Sequence, residues 1–317
     1  MGANHAHGHG GSHGHGHGHL TGAGRHRGRL AWVLAISGGV MLVQLAGALL
    51  TGSVALLADA GHMLTDTAGI ALALVAITLA ARPATGRWTF GLARAEILAA
   101  AVNAAVLFGL GAYVLYEAVS RLTLADPPQV AAGSMLVFGV IGLAGNLVSM
   151  LLLVRVQGES LNMRGAFLEV ATDALTSLGV IAAALVAQLT GFTRADSIVA
   201  VLIGLLIVPR ALKLLHSAVS VLLEAAPAHI DLDEVRSHIM GVPHVRAVHD
   251  LHAWTLTSGM AVLTAHVVVE EECFADGHAP QMLDALQECL SGHFDLQHST
   301  FQLEPPAHVE HEQPAHA

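Results

Sequence analysis

The sequence predicts an α-helical membrane protein with six transmembrane helices, followed by a C-terminal cytoplasmic α+β domain of ferredoxin-like αββαβ order. Three observations carry that prediction. Only 12% of the 317 residues are charged, 54% are hydrophobic, and mean hydropathy is +0.61, whereas a soluble domain carries about 25% charged residues. Six apolar runs of about 20 residues or more succeed one another, each long enough to cross a bilayer core. Beyond residue 223 the pattern changes to short alternating and helical-period segments of soluble type.

Residues 1–29 are Gly, His and Arg without apolar periodicity, which predicts a disordered tail. The six apolar segments follow at 30–51, 53–81, 92–120, 130–154, 164–190 and 196–222, making a six-span transmembrane domain over 30–223. Their breaks, "TGS", "RPATGR", "RLTLADPPQ", "RVQGESLNMR" and "TGFTRAD", carry turn or charge signals. The sixth segment is expected to leave the membrane near "VPRALK" and continue as a helix. Arg25, Arg27, Arg29, Arg82, Arg87, Arg94, Arg155, Arg164, Arg210 and Lys213 fall on one side of these spans, and only Arg121 and Arg194 on the other. The positive-inside rule then places both termini in the cytoplasm.

Residues 224–304 read as a cytoplasmic domain. "DLDEVRSHIM" has helical spacing, "VRAVHDLHAWTL" and "MAVLTAHVVVE" are strands joined through "TSG", "APQMLDALQECLSGHF" is a helix with Met282, Leu283, Leu286 and Leu290 on one face, and "STFQLE" closes as a strand. Residues 305–317 are rich in Pro, His and Glu and read as a loose tail.

Composition also excludes several classes. The formal net charge is −10, with acids concentrated in the C-terminal third, which argues against nucleic acid as a partner. Cys273 and Cys289 make neither a CxxC pair nor a disulfide framework, and read as small buried thiols. No cleavable signal peptide is expected, because the N-terminus is polar and His-rich. "HEQPAH" spaces its histidines five apart and Pro314 interrupts any helix, so HExxH protease geometry is lost.

Polar residues inside the apolar runs carry the chemistry. His62 and Asp66 are four apart in the second run, and Glu169 and Asp173 are four apart in the fifth, so each pair shares one helix face. Together they offer one imidazole and three carboxylates, a donor set for a four-coordinate divalent metal such as zinc, cobalt, iron or manganese. An Asp at a helix centre costs about 2.5–3.5 kcal/mol on insertion scales, so such groups are kept when they pair, line a watery path or bind an ion. The competing account is helix–helix hydrogen bonding by protonated acids. Asp59, three before His62, is placed behind the site or on its access path, with a purely structural role left open. Gln44, Asn103 and Asn146 read as interhelical hydrogen-bonding residues. Because bound metal requires neutral imidazole and ionised carboxylates, protons and metal compete for the same groups. A site that swaps one for the other while opening to alternate sides is an exchanger.

"SVALLADAGHMLTD", "TFGLARAEILAAAVN", "AFLEVATDALTSLGV", "VHDLHAWTLTSG", "LTAHVVV" and "HSTFQLE" occur in this order across 30–304. In them the chain resembles the cation diffusion facilitator family, closest to its bacterial zinc/cobalt/cadmium exporter branch. The resemblance implies a homodimer in the inner (plasma) membrane that exports Zn²⁺ from the cytoplasm in exchange for protons, and no enzymatic activity. It implies a transport site at His62, Asp66, Glu169 and Asp173. Many family zinc transporters have histidine where Glu169 stands, and this harder ligand keeps Co²⁺, Cd²⁺, Ni²⁺, Fe²⁺ and Mn²⁺ open as substrates. The loop "ARPATGRWTFGLARAE" lacks the His and Asp of an extra family metal site, so that site is expected to be absent. Arg94 and Glu224 occupy places where relatives lock their subunits, the alternative being ordinary interfacial charges.

The resemblance further implies a cytoplasmic-domain metal site at His249, His266 and His298, with Zn²⁺ the expected ligand; Thr300 stands where relatives can add a carboxylate. The strand pattern puts His266 opposite the apolar face of Ala261, Leu263, Ala265, Val267 and Val269, and keeps His249 and His252 from serving one site. "HAHGHGGSHGHGHGH" reads as a metal-collecting arm, dispensable for basic transport. Two readings of a different class stay open: a membrane-embedded metalloenzyme and a metal sensor.

Overall fold

The computed structural model describes residues 27–157, 161–275, 277–294, 296 and 298–309. The His-rich arm and most of the C-terminal tail lie outside these residues. Among the described residues, six helices are long and apolar enough to cross a membrane: α1 (Arg27–Thr51), α2 (Val54–Ala80), α3 (Ala95–Thr123), α4 (Ala132–Leu153), α5 (Leu161–Thr190) and α6 (Arg194–Leu222). The chain divides into two compact units, Met1–Thr67 with Leu110–Leu206, and Ala68–Gly109 with Ile207–Ala317.

Within the first unit α4 packs against α5 and α1. Apolar side chains gain nothing from each other's company over lipid, so close backbone approach has to supply the attraction. A Cβ on Gly145 of α4 would lie 2.2 Å from Val40 Cγ2 of α1, so any larger residue there would force Val40 to move. Between α1 and α2 the chain reverses at Gly52, whose φ of +70° favours glycine. The Ser53 hydroxyl then accepts the Leu56 N–H at 3.0 Å and caps α2.

Within the second unit, α3 starts at Ala95, three residues later than the apolar run suggests. The preceding "TFGLAR" forms turns, with Gly91 at φ +64°. Helix α6 continues unbroken through Pro209, as the sequence pattern anticipates. The C-terminal domain then follows as α7 (Leu232–Met240), β1 (Val245–Thr257), β2 (Met260–Val269), the short α8 (Glu272–Ala275), α9 (Ala279–Phe294), β3 (His298–Glu304) and α10 (Pro306–Val309). The last of these is a helical turn where the tail composition suggested loose chain.

Asp231 caps α7 by accepting the N–H of Asp233 at 2.9 Å and of Glu234 at 3.3 Å. The sheet order is β1-β2-β3, with β1 antiparallel and β3 parallel to β2. Helix α9 is the crossover that a parallel pair requires. The alternating residues Ala261, Leu263, Ala265, Val267 and Val269 are all buried, and join Val235 and Ile239 of α7 with Met282, Leu286 and Leu290 of α9 in one core. Glu96, in the first turn of α3, accepts the Thr257 hydroxyl on one carboxylate oxygen and the Ser258 hydroxyl on the other, each at 2.8 Å. The β1–β2 turn is thereby fastened to the start of a membrane helix.

Candidate metal centres

One cluster sits in the first unit, between α2 and α5. His62 Nε2 lies 3.4 Å from Asp66 Oδ2 and 3.9 Å from Asp173 Oδ1, and ligand atoms of all three lie within 4.8 Å of one another. His62 and Asp173 are each 4% exposed, and Asp66 is half-buried. The i, i+4 spacing on α2 brings His62 and Asp66 to one face, and α5 brings Asp173 to meet them. Glu169, one turn before Asp173 on α5, is half-buried and stands outside this trio.

Asp59 is completely buried and accepts three hydrogen bonds: from Thr176 Oγ1 at 2.5 Å, Gln44 Nε2 at 2.6 Å and Ser177 Oγ at 3.2 Å. Asn146 Nδ2 of α4 donates to Ser177 Oγ at 3.3 Å. Gln44 and Asn146 therefore do bond between helices. Thr176 and Ser177 were not singled out by the sequence, because small hydroxyl residues are common in apolar helices and bond their own backbone as readily as a neighbour. Asp196 of α6, which accepts the Val54 N–H at the start of α2 at 2.8 Å, likewise carries no local signal and stands in the sequence only at the "TGFTRAD" span boundary.

A second cluster sits on the sheet of the C-terminal domain. His249 and His266 are direct cross-strand partners, with ring centroids 5.1 Å apart. Glu304, the last residue of β3, reaches both: Oε1 lies 2.6 Å from His266 Nδ1, and Oε2 lies 3.2 Å from His249 Nε2. Its side chain is 1% exposed, and Gln302 Nε2 donates to Oε1 at 2.9 Å. Two imidazoles facing one buried carboxylate form a nitrogen–oxygen donor set that fits a divalent metal. The exposed His244–Glu270 pair, at 2.8 Å, makes a contrast. There the hydrogen bond from His244 holds the Glu270 carboxyl below its usual range, but in open solvent such a pair contributes little.

His298, implied by the resemblance as the third ligand, does not join this cluster within one chain. On β3 the residue paired with His266 is Gln302, and His298 pairs with Val262. Four residues of strand amount to about 13 Å, and the His298 ring instead meets Phe90 edge-on at 5.9 Å. His252 is exposed and pairs with Thr264, beyond a bulge at which Asp250 takes φ +44°. Arg94 and Glu224 form an ion pair at 2.5 Å within the chain.

Comparison with known proteins agrees with this anatomy. Residues 30–223 match the cation efflux transmembrane domain, and 227–306 match the cytoplasmic domain of cation efflux proteins. The chain is 46% identical over 304 residues to the metal cation efflux system protein CzcD of Cupriavidus metallidurans, covering 96% of this chain and 90% of that protein. It is 41% identical to the zinc transporter ZitB of Escherichia coli, over 88% of each chain. It is 36% identical to a cadmium, cobalt and zinc/H⁺–K⁺ antiporter of Bacillus subtilis, over 85% of this chain and 86% of that one. A solved metal-bound C-terminal domain of a CzcD transporter is 43% identical over 24% of this chain and 99% of its own, with a TM-score of 0.21. The chain belongs to the cation efflux family, the cation diffusion facilitators, and is a multi-pass membrane exporter of divalent metal cations.

Proposed function

We propose that the exported cation is Zn²⁺, exchanged for protons by alternating access, with both termini in the cytoplasm of an inner-membrane homodimer. The observation that carries this reading is the convergence of His62, Asp66 and Asp173, with ligand atoms within 4.8 Å of one another in a membrane-spanning helix pair. Nitrogen and oxygen donors together suit zinc. Glu169, on the same face of α5, is the fourth donor that closes the site once cargo enters. The metal binds only when imidazole is neutral and the carboxylates are ionised. Loading therefore expels protons, and unloading on the far side admits them. The 41% identity to a protein named a zinc transporter supports the metal, and the name of the Bacillus subtilis relative supports proton exchange.

In the C-terminal domain, His249, His266 and Glu304 would hold a resident Zn²⁺, which supplies a bond linking all three strands. That site tightens the domain and gives it a response to cytoplasmic zinc. The name of the family model that matches this domain refers to a dimer, which supports the homodimer.

The test is flux. The full chain is reconstituted in proteoliposomes, a pH gradient is imposed, and Zn²⁺ uptake is followed together with internal pH. Asp66→Ala and Asp173→Ala should each abolish uptake, and internal pH should rise as zinc enters acid-loaded vesicles. Unchanged flux in either variant refutes the transport site, and zinc uptake without proton movement refutes the exchange. A membrane metalloenzyme would instead turn over a substrate with no net metal movement.

A further inference from the structure

The geometry points to Asp59 as a positioning residue that sets the axial register of α2 against α5, and so brings His62 and Asp66 to Asp173. The inference rests on the transport-site reading above. Asp59 stands three residues before His62 on α2, and its partners Thr176 and Ser177 stand three and four residues after Asp173 on α5. The two helices run antiparallel at this contact, so both displacements point the same way. Each helix therefore carries the same two-level pattern, with metal ligands at one level and a polar fastening one turn along. One turn is about 5.4 Å of rise, and a one-residue slip turns a side chain by about 100°. Neither level tolerates a slip that the other does not also feel.

Three features separate this fastening from ordinary interhelical bonding. The carboxylate is 0% exposed, and it accepts from three side chains on two other helices. All three donors are neutral side chains, two hydroxyls and one amide, so what they fix is the direction of the carboxyl group. Room for the fastening is kept on a fourth helix: a Cβ on Gly142 of α4 would lie 2.2 Å from Gln44 Nε2 and 3.3 Å from Ser177 Oγ. A lone polar pair in a membrane contributes little. A shared acceptor that aligns two ligand-bearing helices acts on the metal site itself, as outer groups do on metal ligands.

The experiment compares Thr176→Val, Thr176→Ser, Asp59→Asn and Asp173→Ala in the same proteoliposome zinc-uptake assay, each at equal reconstituted protein. Thr176→Val keeps the shape and removes the hydroxyl. It should raise the KM for Zn²⁺ by about tenfold, the usual scale for groups that orient metal ligands, while changing kcat less than twofold. Thr176→Ser restores the hydroxyl and should restore the KM, which a packing defect would not do. Asp59→Asn should raise the KM at least as much as Thr176→Val. Wild-type KM in Thr176→Val, or a raised KM in Thr176→Ser as well, overturns the positioning role. If that happens while Asp173→Ala still abolishes uptake, the transport site survives and only this inference falls. If Asp173→Ala also transports normally, both fall.

Discussion

The Asp196 carboxylate of α6 accepts the Val54 backbone N–H at 2.8 Å, so the first turn of α2 is capped by a residue 142 positions away. The same carboxylate takes the Ser53 hydroxyl at 2.5 Å and the Ala55 N–H at 3.2 Å. Nearby, Arg121 donates to the Gly52 carbonyl at 2.7 Å. The opening N–H groups of a helix lack internal partners and carry the positive end of its dipole. A buried acid from another helix satisfies them here. Removing it by Asp196→Ala should destabilise the protein by about 1–3 kcal/mol, the cost of unsatisfied buried donors. The measurement is the melting temperature of the detergent-solubilised protein. A wild-type value would mean that water serves those amides equally well.

Glu169 bears on metal choice. An oxygen donor is harder than imidazole. Glu169→His should therefore shift competition for uptake toward Zn²⁺ and away from Mn²⁺ and Co²⁺, by roughly tenfold in the ratio, or about 1.4 kcal/mol of discrimination. An unaltered ranking across Zn²⁺, Cd²⁺, Co²⁺, Ni²⁺, Fe²⁺ and Mn²⁺ would assign selectivity to the other three ligands.

Glu304 and His298 are separable in the C-terminal domain. Zinc should raise the melting temperature of the full chain through His249, His266 and Glu304. Glu304→Ala should remove most of that shift and His298→Ala should leave it nearly intact. The reverse pattern would show that His298 ligates from outside the single chain and that Glu304 only orients the imidazoles.

The Arg94–Glu224 ion pair is 37% and 56% exposed at its two side chains. Pairs this open contribute about 0–1 kcal/mol. Glu224 also holds a φ of +60°, which favours glycine. Glu224→Gly should thus leave thermal stability within about 1 kcal/mol of wild type. If its transport rate falls severalfold at that unchanged stability, the pair acts as a lock between moving parts; if the rate is unchanged, the charges are ordinary surface partners.

How much of this was legible in the sequence depended on range. The six spans were readable because a bilayer imposes length and apolarity locally, and their ends differ from the apolar runs by about three residues at most, through helical extension at Arg27, Thr123 and Leu161 and through turns before Ala95. His62 and Asp66 were readable because an i, i+4 pair is fixed by helix geometry alone. The strands of the αββαβ order and the apolar face of β2 followed from period-two alternation, and its two helices from i, i+3/i+4 spacing. Glu304 was not readable. Its place beside His249 and His266 depends on the pairing register of β3 with β2, which is set by a crossover and a packed core. Thr176, Ser177 and Asp196 were missed for a related reason: each acts on a residue more than a hundred positions away, and nothing local marks it. The resemblance supplied the cytoplasmic histidines but named His298, which the register of this chain carries to Phe90.

The clasp between Glu96 and the Thr257–Ser258 turn bears on how such proteins can be recombined. A chimera that joins a foreign C-terminal domain to this membrane domain near residue 224 would keep the linker continuous, yet it would present Glu96 with whatever turn the donor protein happens to carry. Where that turn lacks two hydroxyls, the acid loses both partners. Exchange of this chain's C-terminal domain therefore has a compatibility rule at residue 96, and a grafted domain should be chosen, or its hairpin rewritten, to match it.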